Sequence, residues 1–137
     1  MKYFFSKTSP KYTTTPELLG WRELIDKRNI NRERSHLLPK REVIKIKSHP
    51  ETIYTDIFLY PFPLVTPVIF EMIQLYEPGT ISKKIILLDQ ENRKSQLYHL
   101  PILDEVTCLH SSSNLSPDKS TIRHGFLDLS AIGQRTV

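Results

Sequence analysis

Apolar positions in this chain fall into short runs separated by polar, proline-rich stretches, and the spacing inside each run predicts the elements. The run Lys2–Ser6, "KYFFS", is rich in β-formers and predicts a first strand. In "PELLGWRELIDKRNI" the residues Leu18, Leu19, Trp21, Leu24 and Ile25 recur at near-helical spacing. A short helix is expected there, with Thr15 as N-cap and Pro16 at its first position; Gly20 weakens it. "EVIKIKS" predicts a strand near a sheet edge, where its lysines discourage stray pairing. "TIYTDIFLYP" predicts another strand, ended by Pro61.

The clearest helix signal follows. Thr66 is placed to accept a backbone N–H as N-cap, and Pro67 suits the first turn. Ile69, Phe70, Ile73 and Tyr76 line one face, widened by Val68, Met72 and Leu75, while Glu71, Gln74 and Glu77 gather opposite. The pattern predicts a helix over about 66–77, stopped near Gly79. Its position between strands favours burial of the apolar stripe on a sheet over exposure to a partner. "KIILLD", "QENRK" and "SQLYHLPIL" read as strand, turn and strand, "DEVTCLH" as a short strand or turn, and "SSSNLSPDKST" as a loop. In the tail "GFLDL" reads as a strand and "SAIGQ" as a turn; the chain breaks off at "RTV" as a further strand begins, as a truncated end would. The expected fold is a single α+β domain over 1–137, with a mainly antiparallel sheet and one principal helix packed on it. Residues 1–48 form its basic, loop-rich N-terminal portion.

Composition agrees with a folded domain: 39% of the residues are hydrophobic and 25% charged, neither skewed toward disorder. No run approaches a membrane span, and the start lacks a secretory pattern. The single cysteine, Cys108, excludes an internal disulfide and fits a reducing, cytoplasmic setting. Charge is unevenly spread. Residues 1–48 carry 12 Lys/Arg against 5 Asp/Glu, and residues 49–137 carry 7 against 10. That basic half suits an acidic protein surface or a nucleic acid. Within it Trp21, Arg22, Lys27, Arg28, Arg32 and Arg34 combine cations with an aromatic platform and are the candidate partner-binding residues. Glu23, Asp26 and Glu33 interrupt the positive run, so a solvated connecting face is the plainer reading.

Catalytic and metal signatures are missing. His36, His49, His99, His110 and His124 pair with no Cys, His or acid at metal-site spacing, and neither HExxH nor CxxC occurs. Four glycines form no phosphate-binding loop. Cys108 could act as a nucleophile if activated by His99, His110 or His124, but a small buried residue is the default for a lone cysteine. The acids Asp56, Asp89, Asp104, Glu105, Asp118 and Asp128 are scattered. No catalytic residue, cofactor or metal is assigned.

Pro63, Leu64 and Val65 before the helix, Tyr76, Glu77 and Pro78 at its end, and then Tyr98, Val106, Cys108, Leu109, Leu127, Asp128, Ile132 and Gly133 form a pattern over the second half of the chain. In that pattern the chain resembles bacterial immunity proteins that accompany polymorphic toxins. Thr66 stands where that group more often has Ser, and His110 where it has Asp. The resemblance implies a non-catalytic protein that inhibits a cognate toxin by protein–protein contact. The alternative is nucleic-acid binding through the basic N-terminal half.

Overall fold

In the computed structural model, which describes residues 9–104, 108–117 and 122–132, the runs flanking "QENR" pair as the central hairpin of a five-stranded sheet. The strands are β1 (Arg41–Lys45), β2 (Ile57–Phe58), β3 (Leu64–Val65), β4 (Ile81–Asp89) and β5 (Lys94–Ile102), in the order β1-β4-β5-β3-β2. β4 and β5 are antiparallel from Ile81↔Ile102 to Asp89↔Lys94. Their turn is closed by the buried Asp89 carboxylate, which accepts the backbone N–H of Asn92 at 3.1 Å and its side-chain amide at 2.8 Å. β1 joins β4 in parallel as an edge strand, and the remaining pairs are antiparallel. With helix α1 (Trp21–Leu24) and the longer α2 (Pro67–Tyr76), this is the expected α+β arrangement: a mainly antiparallel sheet with one principal helix packed on it. No helix among the described residues is long and apolar enough to cross a membrane.

Alternation decides which side of the sheet becomes the core. Paired residues project to the same face, so Ile44 with Leu87, Ile85 with Tyr98 and Phe58 with Leu64 form one buried layer. The basic N-terminal portion covers that layer. Leu18, Ile25 and Leu38 are buried in the same cluster, with Trp21 and Ile30 packed against it. Backbone bonds hold the cover in place: Leu19 N–H to Lys45 O at 2.8 Å and Lys47 N–H to Glu17 O at 2.9 Å. This N-terminal portion is therefore the second wall of the core, although little of it is helix or strand.

Several local expectations are corrected. The first helix does not start at Thr15 and Pro16. Leu18 instead bridges to Ile46, and α1 begins after Gly20, whose φ of 63° lies in the left-handed region that glycine tolerates. The strand expected in "TIYTDIFLYP" shrinks to Ile57–Phe58, because the Thr55 carbonyl is taken by the Tyr98 hydroxyl at 2.8 Å instead of a neighbouring strand. Thr66 occupies the N-cap position of α2, but its hydroxyl donates to the Asp56 carboxylate at 3.3 Å and caps nothing.

The chain divides into two compact units, Met1–Leu103 and Asp104–Val137. In the second, β6 (Asn114–Leu115) and β7 (Ile122–His124) pair antiparallel, so part of the expected serine-rich loop is strand. "GFLDL" contributes only the bridge Leu127↔Leu109, and α3 (Leu129–Ile132) replaces the expected turn. The Asp128 carboxylate accepts the Ser130 N–H at 3.0 Å, which breaks the strand and starts the helix. The predicted strand at "KYFFS", residues 105–107 of "DEVTCLH" and the strand at "RTV" fall outside the described residues.

Candidate protein-binding surface

The orientation of α2 bears out only part of the expectation drawn from its apolar pattern: Phe70 is buried and Ile69 and Ile73 are half-buried, whereas Val68, Met72, Leu75 and Tyr76 are exposed. Phe70 is the one buried residue of the helix, 7% exposed. Its ring stacks on the His99 imidazole with centroids 4.6 Å apart and planes 5° from parallel. His99 lies between Tyr98 and Leu100 on β5 and so points to the face opposite the core. At 3.6 residues per turn, Val68, Met72, Leu75 and Tyr76 share the side of α2 away from Phe70. All four are exposed, Leu75 at 80% and Tyr76 at 84%. Gln74 is exposed, as expected, and donates its side-chain amide to the Thr80 carbonyl at 3.4 Å.

Two constraints fix this rotation. Only Thr66 separates β3 from α2, and its N–H is held by the Asp56 carbonyl at 2.9 Å. The β3–β5 register, Val65↔His99, then carries Phe70 onto the imidazole. The core face already has its cover, so α2 packs through Phe70 on the opposite face, and the side of the helix that carries Val68, Met72, Leu75 and Tyr76 is left exposed.

A second exposed cluster is built around Trp21. Its indole packs edge-on against buried Phe62, with centroids 5.7 Å apart. The Arg22 guanidinium lies 5.1 Å from the indole centroid and the Lys27 ammonium 4.9 Å from it. Lys27 is also 5.3 Å from the ring of Tyr60, which is 73% exposed. Each such contact is worth about 0.5–1 kcal/mol at an exposed site, enough to hold the cations over the rings. Three of the six candidate residues thus gather with Tyr60. Arg28 folds back on Asp26 at 2.7 Å, and this pairing holds the Asp26 carboxyl below its usual range. Arg32 lies 3.9 Å from Glu77, the C-cap of α2, which makes the basic segment and the Tyr76 end of the helix neighbours. Arg34 is exposed, and its backbone N–H is taken by Asn31 Oδ1 at 2.9 Å. Tyr60, Leu75 and Tyr76 were not among the sequence candidates; the exposed aromatic after a strand is a weak signal until the fold shows which side it faces.

Chemistry is sparse elsewhere. No group of three or more His, Cys, Asp or Glu able to hold a metal ion occurs among the described residues. Cys108 is half-buried, less enclosed than the buried default. The Ser82 hydroxyl lies 2.8 Å from His99 Nδ1. Burial, followed by the charge of Lys84, holds the His99 pKa below its ordinary value, against a smaller opposing pull from Glu71.

That shift has a measurable consequence. Below about pH 6.5 the unfolded chain takes up the His99 proton before the folded one does, so stability present above that pH is lost as pH falls. The urea midpoint should drop between about pH 7.5 and about pH 5.5, and drop less in His99→Gln. Equal drops in both proteins would remove His99 as the cause.

Comparison of the chain with protein-family models, with curated proteins and with solved structures found no match. The functional reading rests on the residues themselves.

Proposed function

We propose that this protein works without catalysis, as an immunity-like inhibitor that blocks a cognate toxin by covering part of its surface. The observation that carries the reading is the outward rotation of α2. A helix that packs through Phe70 and turns Val68, Met72, Leu75 and Tyr76 to solvent leaves a ready-made contact stripe. Tyr60, Trp21 and Arg22 add the residue types that dominate interface energetics. The excess of positive charge in residues 1–48 favours an acidic partner surface and faster encounter with it. The toxin as partner, and a bacterial cytoplasm as the setting, come from the sequence resemblance, whose Pro63–Val65 and Tyr76–Pro78 flank this helix.

The nucleic-acid alternative has less to build on. Arg28 pairs with Asp26, Arg32 with Glu77 and Lys47 with Glu17 at 3.4 Å, so these cations of that half are already engaged by carboxylates.

Affinity capture from nuclease-treated host lysate at low and high salt tests the proposal, with the intact protein and Tyr60→Ala/Lys27→Glu as baits. A discrete protein held by the first bait and lost from the second is expected. Loss of all bound material on digestion would favour nucleic acid; a protein bound equally to both baits would remove the Tyr60 cluster from the interface.

A further inference from the structure

Four basic residues lie at one end of the sheet, on β1 and β4 and just before β1. Lys40 and Arg41 lie at the start of β1, and Lys83 and Lys84 near the start of β4; with Ile81 and Ser82 they line an open pocket of about 660 Å³. Parallel pairing brings them together. Both strands begin at the same end, Arg41 stands opposite Lys84 in the ladder, and the Lys84 N–H donates to the Lys40 carbonyl at 3.0 Å.

The arrangement works against folding. Like charges directly opposite one another in a ladder are destabilising. Among the described residues, no carboxylate comes within ion-pair distance of any of the four, whereas Arg28, Arg32 and Lys47 each have one. The field is felt on the next strand, where Lys84 pairs with His99 and adds to the lowering of its pKa. Charge left uncompensated around a cavity is what an anion site requires.

We propose that this pocket binds a small-molecule phosphate ester or polyphosphate carrying several negative charges, such as a di- or triphosphate. Its volume lies within the range of about 300–1,000 Å³ typical of small-ligand sites. Arg41 and Lys84, opposite one another in the ladder, project to the same face, and their two positive charges exceed what one carboxylate would neutralise. Arg41 supplies a planar fork of N–H donors suited to phosphate oxygens, and the lysines supply point charges. The lining has no aromatic ring on which a nucleobase would stack, which favours a compact anion over single-stranded nucleic acid.

Titration calorimetry on the intact protein, at about 150 mM salt to suppress diffuse attraction, tests this. The probes are inorganic triphosphate, orthophosphate, sulfate and a single-stranded oligothymidylate. Triphosphate is expected to bind at least about tenfold more tightly than orthophosphate or sulfate, since it engages more of the cations at once. Arg41→Gln/Lys84→Gln should weaken triphosphate at least about tenfold, and Lys83→Gln several-fold, while Lys47→Gln leaves it unchanged. Removing like charges should leave the melting temperature of the double variant at or above that of the parent, which separates lost binding from lost fold. No triphosphate binding by the parent, equal weakening in Lys47→Gln, or an oligothymidylate that binds more tightly and displaces triphosphate would each overturn the assignment.

Discussion

Replacing Leu75 and Tyr76 together with serine is expected to weaken partner binding by about a hundredfold or more while leaving stability almost unchanged. The two effects separate because the side chains bury almost nothing in the free protein. Leu75 and Tyr76 are 80% and 84% exposed, so truncation leaves no cavity, and surface changes of this kind usually stay within about 0.5 kcal/mol. In a complex the same side chains would be desolvated at the end of the stripe that adjoins the basic segment. A truncated interface anchor costs about 2 kcal/mol or more, and each 1.4 kcal/mol is about tenfold in affinity. Affinity for the captured partner and the urea midpoint should be measured on the same preparation. Unchanged affinity would place the interface elsewhere; a large fall in the midpoint would mean that the stripe stabilises the free protein.

Tyr98→Ala should destabilise the protein by about 3–5 kcal/mol, a large share of the roughly 5–15 kcal/mol that a folded domain typically has. Tyr98 is fully buried at the centre of the core layer, its ring edge-on to Phe58 with centroids 4.9 Å apart. Its hydroxyl donates to the Thr55 carbonyl at 2.8 Å, pinning the otherwise irregular segment before β2. Tyr98→Phe isolates that bond. It keeps the packing and leaves the carbonyl without its donor, for an expected loss of about 1–3 kcal/mol. Denaturation midpoints of the two variants give the division. If Tyr98→Phe costs as much as Tyr98→Ala, the hydrogen bond and not the ring dominates, and the packing account fails.

The hairpin was legible because its information is local. "KIILLD" and "SQLYHLPIL" each carry strand residues, and "QENR" between them can only turn. The limits of α2 were legible for the same reason, from Thr66–Pro67 at one end and Pro78–Gly79 at the other. Its rotation was not. An apolar stripe records where hydrophobic residues lie on a helix, and only the rest of the fold shows whether a surface remains to cover them. Here Leu18, Ile25 and Leu38 had already closed the core face, and their irregular spacing in a basic, polar segment hid that role. The same limit applied to the candidate residues. Trp21, Arg22 and Lys27 are neighbours in sequence, but Tyr60 joins them only through the fold. Lys40–Arg41 and Lys83–Lys84 are two ordinary basic pairs until a parallel register sets them side by side.

The cover supplied by residues 14–47 also sets an order of events during synthesis. These residues leave the ribosome before β2 to β5, yet the layer they cover is completed only when Ile102 has been made. β1 cannot pair until β4 exists, and Trp21, Ile25 and Leu38 have no sheet to bury them in the meantime. Assembly therefore waits on the hairpin, and the nascent N-terminal portion spends that interval with its apolar residues in water, kept apart from other chains largely by its own positive charge.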